Sequence, residues 1–140
     1  MEPSVYDLTY NDLNPRFLFC CNLLRTEPEM NYHCHDFIEF VLILKGKTTF
    51  RIDEKLYDVE EGSVILLNPG TYHQSLPAAG TSAREVYLAF SNVEFAGCTR
   101  GHFPLFKNYQ LLATLPDSYK EPLFRLCNLM EQESKTCQPG

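Results

Sequence analysis

Apolar positions along the first ninety residues come in short runs separated by turn-forming residues. Phe17–Leu24, Phe37–Leu44, Thr48–Ile52, Leu56–Val59, Val64–Leu67 and Glu85–Phe90 are rich in β-branched and aromatic residues, so each is predicted to be a strand. The breaks between them are polar or glycine-bearing: Lys45-Gly46-Lys47, Asp53-Glu54-Lys55, Glu60-Glu61-Gly62 and Asn68-Pro69-Gly70. Several short strands at this spacing point to a β-sandwich or barrel. Residues 1–15, with Pro3 and Pro15, read as an N-terminal arm.

The period changes near residue 116. Tyr119, Leu123, Leu126, Cys127 and Met130 recur at helical spacing, which predicts an amphipathic helix within Pro116–Thr136. Ser118-x-x-Glu121 suits a capping box, whereas Pro122 suits a first helical position, so the start stays open. Residues 103–115 fit either a strand or a short helix.

Length and composition narrow the class. A chain of 140 residues suggests one domain, and 44% apolar content supplies its core; ten Phe and eight Tyr provide bulk in the absence of Trp. The net charge is −6, with 12 basic against 18 acidic residues and no basic cluster, which argues against duplex DNA as a direct partner. No apolar run approaches membrane-spanning length, and Met1-Glu2-Pro3-Ser4 does not open a secretory signal. The six cysteines show no CxxC spacing, so a cytoplasmic location with reduced thiols is expected.

The chemistry concentrates in Tyr32-His33-Cys34-His35-Asp36-Phe37-Ile38-Glu39. In extended chain, residues of equal parity share a face, which groups His33, His35 and Glu39 with Phe37 and Val41. Two imidazoles and a carboxylate on one face suit a divalent metal such as Zn, Ni, Fe or Mn. His73, just past the Asn68-Pro69-Gly70 turn, offers a third imidazole. The same residues equally suit a polar lining that hydrogen-bonds an effector or water. Phe37 and Val41 line that pocket or pack in the core. Tyr72 and Tyr87 bring hydroxyls toward it or are core tyrosines. Cys34 is expected on the opposite face and His102 in a loop.

His33-x-His35-x3-Glu39-x6-Gly46 resembles the first cupin motif, and Gly62-x6-Pro69-Gly70-x2-His73 the second. That resemblance implies a mainly β fold, a cupin double-stranded β-helix (jelly-roll) barrel followed by a C-terminal α-helix. It places His33, His35, Glu39 and His73 at the family's metal-ligand positions. With Arg84-Glu85-Val86-Tyr87-Leu88-Ala89-Phe90 and the closing helix, the chain also resembles the N-terminal, arabinose-binding-like domain of AraC-family transcription regulators.

This resemblance implies an arm at residues 1–15, a sensor barrel at 16–102, and a connecting segment with a dimerisation helix at 103–140. A small-molecule effector, often a sugar, would bind among His33, His35, Phe37, Glu39, Tyr72, His73 and Tyr87. A homodimer would form through Tyr119, Leu123, Leu126 and Met130. DNA would be reached only through a C-terminal helix-turn-helix domain, which is expected outside this chain. The resemblance implies a sensor rather than an enzyme; the alternative is a small cupin metalloenzyme, an oxygenase or sugar isomerase. Three departures disfavour the enzyme: no glycine between Thr26 and Tyr32, Ser63 after Gly62, and Pro77 four places past His73.

Overall fold

The computed structural model of the protein describes residues 15–94, 99–103 and 112–136. Nearly all of the expected N-terminal arm therefore lies outside the described residues, as do Cys98 and Cys137. Seven strands precede one helix: β1 (Arg16–Arg25), β2 (Ile38–Ile52), β3 (Lys55–Glu60), β4 (Ser63–Leu67), β5 (His73–Ser75), β6 (Ala83–Ser91), β7 (Leu112–Thr114) and α1 (Asp117–Thr136).

All pairings are antiparallel. One path runs β1-β6-β2-β4-β7, while β3 and β5 flank the later half of β2. The two predicted strands on either side of Lys45-Gly46-Lys47 are thus one strand that changes sheets. Its register against β6 shifts between Ile43 and Lys45, and Gly46 adopts φ +78°. A side chain there would place its Cβ 2.2 Å from the Ser82 carbonyl oxygen, so only glycine lets the strand turn this corner.

Both faces of the first half of β2 are covered, which explains its nearly continuous apolar run. Val41 and Ile43 face the barrel interior with Phe50, Ile52, Val59, Ile65, Leu67, Ala83 and Tyr87. Leu42 lies on the outer face with Cys20 and Val86, under Leu123, Phe124, Cys127 and Met130 of α1. Ile38, Leu66 and Val93 form a third cluster with Phe40, Phe90 and Phe103. Asn68 pins Phe103 with two bonds, donating from Nδ2 to the carbonyl at 3.0 Å and accepting the amide at 2.8 Å.

Two segments left open by the sequence take a definite form. β7 pairs with β4, so the segment after residue 102 contributes a strand to the sheet rather than only a connection. Helix α1 begins at Asp117, placing Ser118 and Pro122 inside it, so neither defines the start.

Candidate functional site

His33 and His73 form an isolated antiparallel bridge: the His33 amide donates to the His73 carbonyl at 3.2 Å, and the His73 amide donates back at 2.8 Å. The Asn68-Pro69-Gly70 turn holds the same rung, because the Gly70 amide donates to the His35 carbonyl at 2.9 Å. Glu39, near the start of β2, is then brought under both rings. Its Oε1 lies 3.5 Å from His35 Nε2 and 3.6 Å from His73 Nε2.

The tautomers follow from the backbone. Nδ1 of His33, His35 and His73 faces the carbonyls of Asn31, Phe37 and Thr71 at 3.0, 3.1 and 2.9 Å. A carbonyl only accepts, so each Nδ1 carries the hydrogen, and in a neutral ring Nε2 is a bare lone pair. His35 Nε2 and His73 Nε2 are buried without a hydrogen-bond partner. Two lone pairs aimed at a carboxylate oxygen are a costly arrangement unless a proton, an ion or a donor joins them.

Charge and burial distinguish the two rings. Burial opposes protonation of His35, but the Glu39 carboxylate outweighs it, aided by the Phe37 carbonyl and Asp36, and raises the pKa above the ordinary histidine value. Burial dominates at His73 and lowers its pKa. A proton held at this site therefore belongs on His35.

His35, Glu39 and His73 form the one group of metal-capable donors found among the described residues, with atoms within 4.8 Å of one another. His33 stands at the rim. Its ring centroid is 4.5 Å from that of His73, but its side chain is 43% exposed and its Nδ1 sits 3.6 Å from Glu29 Oε2. Phe37 stacks on His35 with centroids 3.9 Å apart and planes 4° from parallel, so it supports the ring.

Tyr72 does not join the cluster. As the extended-chain neighbour of His73 it points the other way, is half exposed, and meets Tyr32 with centroids 5.4 Å apart. Cys34 lies on this side as well, beside Tyr72. His102 is elsewhere, its Nδ1 3.3 Å from the Arg100 carbonyl.

Tyr87 faces a second polar group inside the barrel. It donates to Glu85 Oε2 at 2.5 Å and is 3.0 Å from Glu29 Oε1. Arg25 reaches Glu29 at 3.1 Å and Glu85 at 3.3 Å, and Ser75 donates to Glu85 Oε1 at 2.6 Å. Burial, followed by the charges of Glu85 and Glu29, raises the Tyr87 pKa far above its ordinary range, so it is a neutral donor. Arg25, Glu29 and Glu85 belong to no motif spacing. The readable signal is the parity of Glu85 with Tyr87 and Ala89, which puts a charge on the inner face.

Residues 19–138 match the family described as the AraC-like ligand binding domain. The chain belongs to that family. It is also 39% identical over 59 residues to YdeC, an uncharacterized HTH-type transcriptional regulator of Bacillus subtilis. That stretch covers 42% of this chain and 20% of the regulator, so the chain spans a small part of its relative. Similar solved structures include a cupin protein of Bacteroides fragilis, at 21% identity, 60% and 69% coverage of this chain and that one, and TM-score 0.45. Another is an RmlC-like cupin with a double-stranded β-helix fold from Methanocaldococcus jannaschii, at 14% identity, 64% and 90% coverage, and TM-score 0.43.

The AraC-like domain is a mainly β, antiparallel barrel followed by one C-terminal helix. The family is one of AraC-like ligand binding domains. No helix among the described residues is long and apolar enough to cross a membrane.

Proposed function

We propose that this domain is the effector-sensing and dimerising module of an AraC-type transcription regulator. It takes a small molecule, a sugar in the first instance, inside the barrel. It controls a helix-turn-helix DNA-binding domain in the same regulator.

The observation that carries this reading is the polar interior of an otherwise apolar barrel. The bare Nε2 atoms of His35 and His73 converge on Glu39, and the buried Ser75–Glu85–Tyr87 chain forms a second polar group. Groups left without partners in a folded core call for a ligand.

The donor set fits a divalent cation such as Zn, Ni, Fe or Mn, with His35, Glu39 and His73 as the residues that would hold it. Such an ion would supply a fixed positive charge at the Glu39 carboxylate. An effector hydroxyl donating to Nε2 would satisfy the same atoms. Dimerisation would use the exposed part of α1, where Tyr119 and Leu126 remain uncovered.

A thermal-shift screen of sugars, organic acids and divalent metals tests the proposal. A ligand of the native state at a hundredfold excess over its Kd adds about 2.7 kcal/mol of stability. A domain that no member of the screen stabilises is not a sensor of this kind.

A further inference from the structure

Residues 26–37 connect β1 to β2 and carry His33 and His35 to the site. None of them is fully buried, and Met30 is 95% exposed. Polar bonds hold the segment to β5 instead. The Glu29 amide donates to the Ser75 carbonyl at 2.9 Å, and Gln74 Nε2 donates to the Glu29 carbonyl at 2.7 Å. His33 and His73 exchange their own backbone bonds further along. A segment tied by such bonds, with little apolar burial, opens at lower cost than the core around it.

The segment covers the histidine site. The side chains of His73 and Glu39 are 1% and 6% exposed, whereas that of His33 is 43% exposed. The rings of His33 and His35 flank His73, with centroids 4.5 and 5.0 Å away. The exposed ring beside buried His73 thus belongs to this segment, and a molecule reaching His73 Nε2 from that side has to displace it.

Glu29 ties the segment to the barrel interior. Its Oε1 accepts from Arg25 Nη2 at 3.1 Å and lies 3.0 Å from the Tyr87 hydroxyl oxygen, and its Oε2 is 3.6 Å from His33 Nδ1. The tie is contested. A phenol has one hydrogen, and Tyr87 makes its shorter bond, at 2.5 Å, to Glu85. Glu85 also accepts from Ser75 at 2.6 Å and shares Arg25 at 3.3 Å. Glu29 is left to depend on a guanidinium that it divides with a second carboxylate, and the two like charges repel. Of the two, Glu29 is the one on the loosely held segment.

We propose that Glu29 is the latch and positioning residue of the histidine site. While its carboxylate sits on Arg25, residues 26–37 hold His33 and His35 against His73. When it leaves Arg25, the segment lifts and the bare Nε2 of His73 becomes accessible. The proposal rests on the reading above that this site takes an occupant, and it concerns how the occupant enters.

The test needs no effector. Diethyl pyrocarbonate, a small uncharged reagent that acylates the unprotonated nitrogen of imidazole, serves as the probe, and peptide mass mapping gives the rate at each histidine. Losing a hydrogen bond to a charged group corresponds to roughly a tenfold or larger shift in an opening equilibrium. His73 should therefore react faster by about that factor in Glu29→Ala, with His102 unchanged as the internal reference. Glu29→Gln, which keeps an acceptor for Arg25 but not the charge, should fall between Glu29→Ala and the parent. Glu27→Ala, which removes an exposed carboxylate of the same segment, should match the parent. Amide exchange in Glu29→Ala should quicken at residues 29–36 and stay at the parent rate in β6. If Glu29→Ala does not fold, Glu29→Gln decides.

An unchanged His73 rate in both Glu29 variants overturns the latch and leaves the sensor reading standing, since the thermal-shift screen judges that reading separately. Exchange in β6 that quickens in step with His73 acylation also overturns it, because Glu29 then stabilises the whole barrel and not this segment. Equal acceleration in Glu27→Ala overturns the assignment to Glu29.

Discussion

Glu39 Oε1 lies at nearly equal distances from two buried imidazole nitrogens without hydrogen-bond partners, 3.5 Å from His35 Nε2 and 3.6 Å from His73 Nε2. Pairing of β5 with β2 and the reciprocal backbone bonds between His33 and His73 hold His73 at this position. Metal retention should therefore depend on side chains from two distant segments. His35→Ala and His73→Ala should lose a bound divalent metal, His33→Ala should lose less, and His102→Ala none. Elemental analysis after dialysis decides it. Equal metal content in the His35, His73 and His102 variants would remove the site.

Much of this was legible in the sequence. Five of the seven strands, read as six segments, and the helix follow from the apolar pattern, and the parity of His35, Phe37 and Glu39 anticipates the inner face. The one-strand nature of β2 was not legible, because Lys-Gly-Lys has the composition of a hairpin turn and only the Ser82 carbonyl against Gly46 shows a corner. β5, three residues long, carries no period at all. The partners Arg25 and Glu29 could not be read either, since Arg25 meets Glu85 through the pairing of β1 with β6 and Glu29 is placed by its backbone bonds to Gln74 and Ser75 of β5. Tyr72 was misplaced because adjacency to His73 in sequence means opposition in space.

The corner glycine should be the least replaceable of the turn glycines. Gly46 and Gly80 share φ +78°, but a Cβ at Gly80 meets nothing within 4 Å. Both alanine variants incur about 1–2 kcal/mol for the left-handed conformation. Gly46→Ala adds a collision with backbone, which cannot swing aside. Urea unfolding should show Gly46→Ala clearly the less stable of the two. Coincident midpoints would mean that the strand relaxes around the corner.

The buried carboxylate of Glu85 should make Tyr87 costly to trim. Tyr87→Phe keeps the ring and removes the donor to Glu85 Oε2, while Arg25 and Ser75 remain. Hydrogen bonds to charged groups contribute about 1.5–3 kcal/mol, so a loss of that size is expected in urea melts. A variant as stable as the parent would show that water or another donor replaces the phenol.

Thiol chemistry should separate neighbours in the chain. Burial, reinforced by Cys127, Glu131 and Cys21, pushes the Cys20 thiol up to about 11. At pH 8 about one molecule in a thousand then carries the reactive thiolate. Cys21 is exposed and should be alkylated first by iodoacetamide, with Cys20 and Cys127 protected until unfolding. Peptide mass mapping reads this directly, and equal rates at Cys20 and Cys21 would contradict the packing of α1 on β1.

The helix divides the stripe seen in its sequence into two. Leu123, Phe124, Cys127 and Met130 pack on the barrel. Tyr119, Leu126 and Leu129 remain exposed, by 63%, 55% and 53%. With Pro122 they follow the alternating three- and four-residue steps of a helix–helix seam. Such a strip tends to find a partner. Substitutions on the two stripes should therefore separate folding from association. Leu126→Asp should leave the unfolding midpoint near that of the parent and weaken a dimer, since burying a leucine contributes roughly 1.5–3 kcal/mol. Leu123→Asp should instead lower the midpoint of the barrel itself, because it puts a charge between α1 and the outer face of the sheet. Sedimentation at several concentrations, paired with urea melts, measures both. If Leu126→Asp unfolds the domain as Leu123→Asp does and leaves the subunit equilibrium unchanged, the exposed stripe serves the fold and dimerisation lies elsewhere.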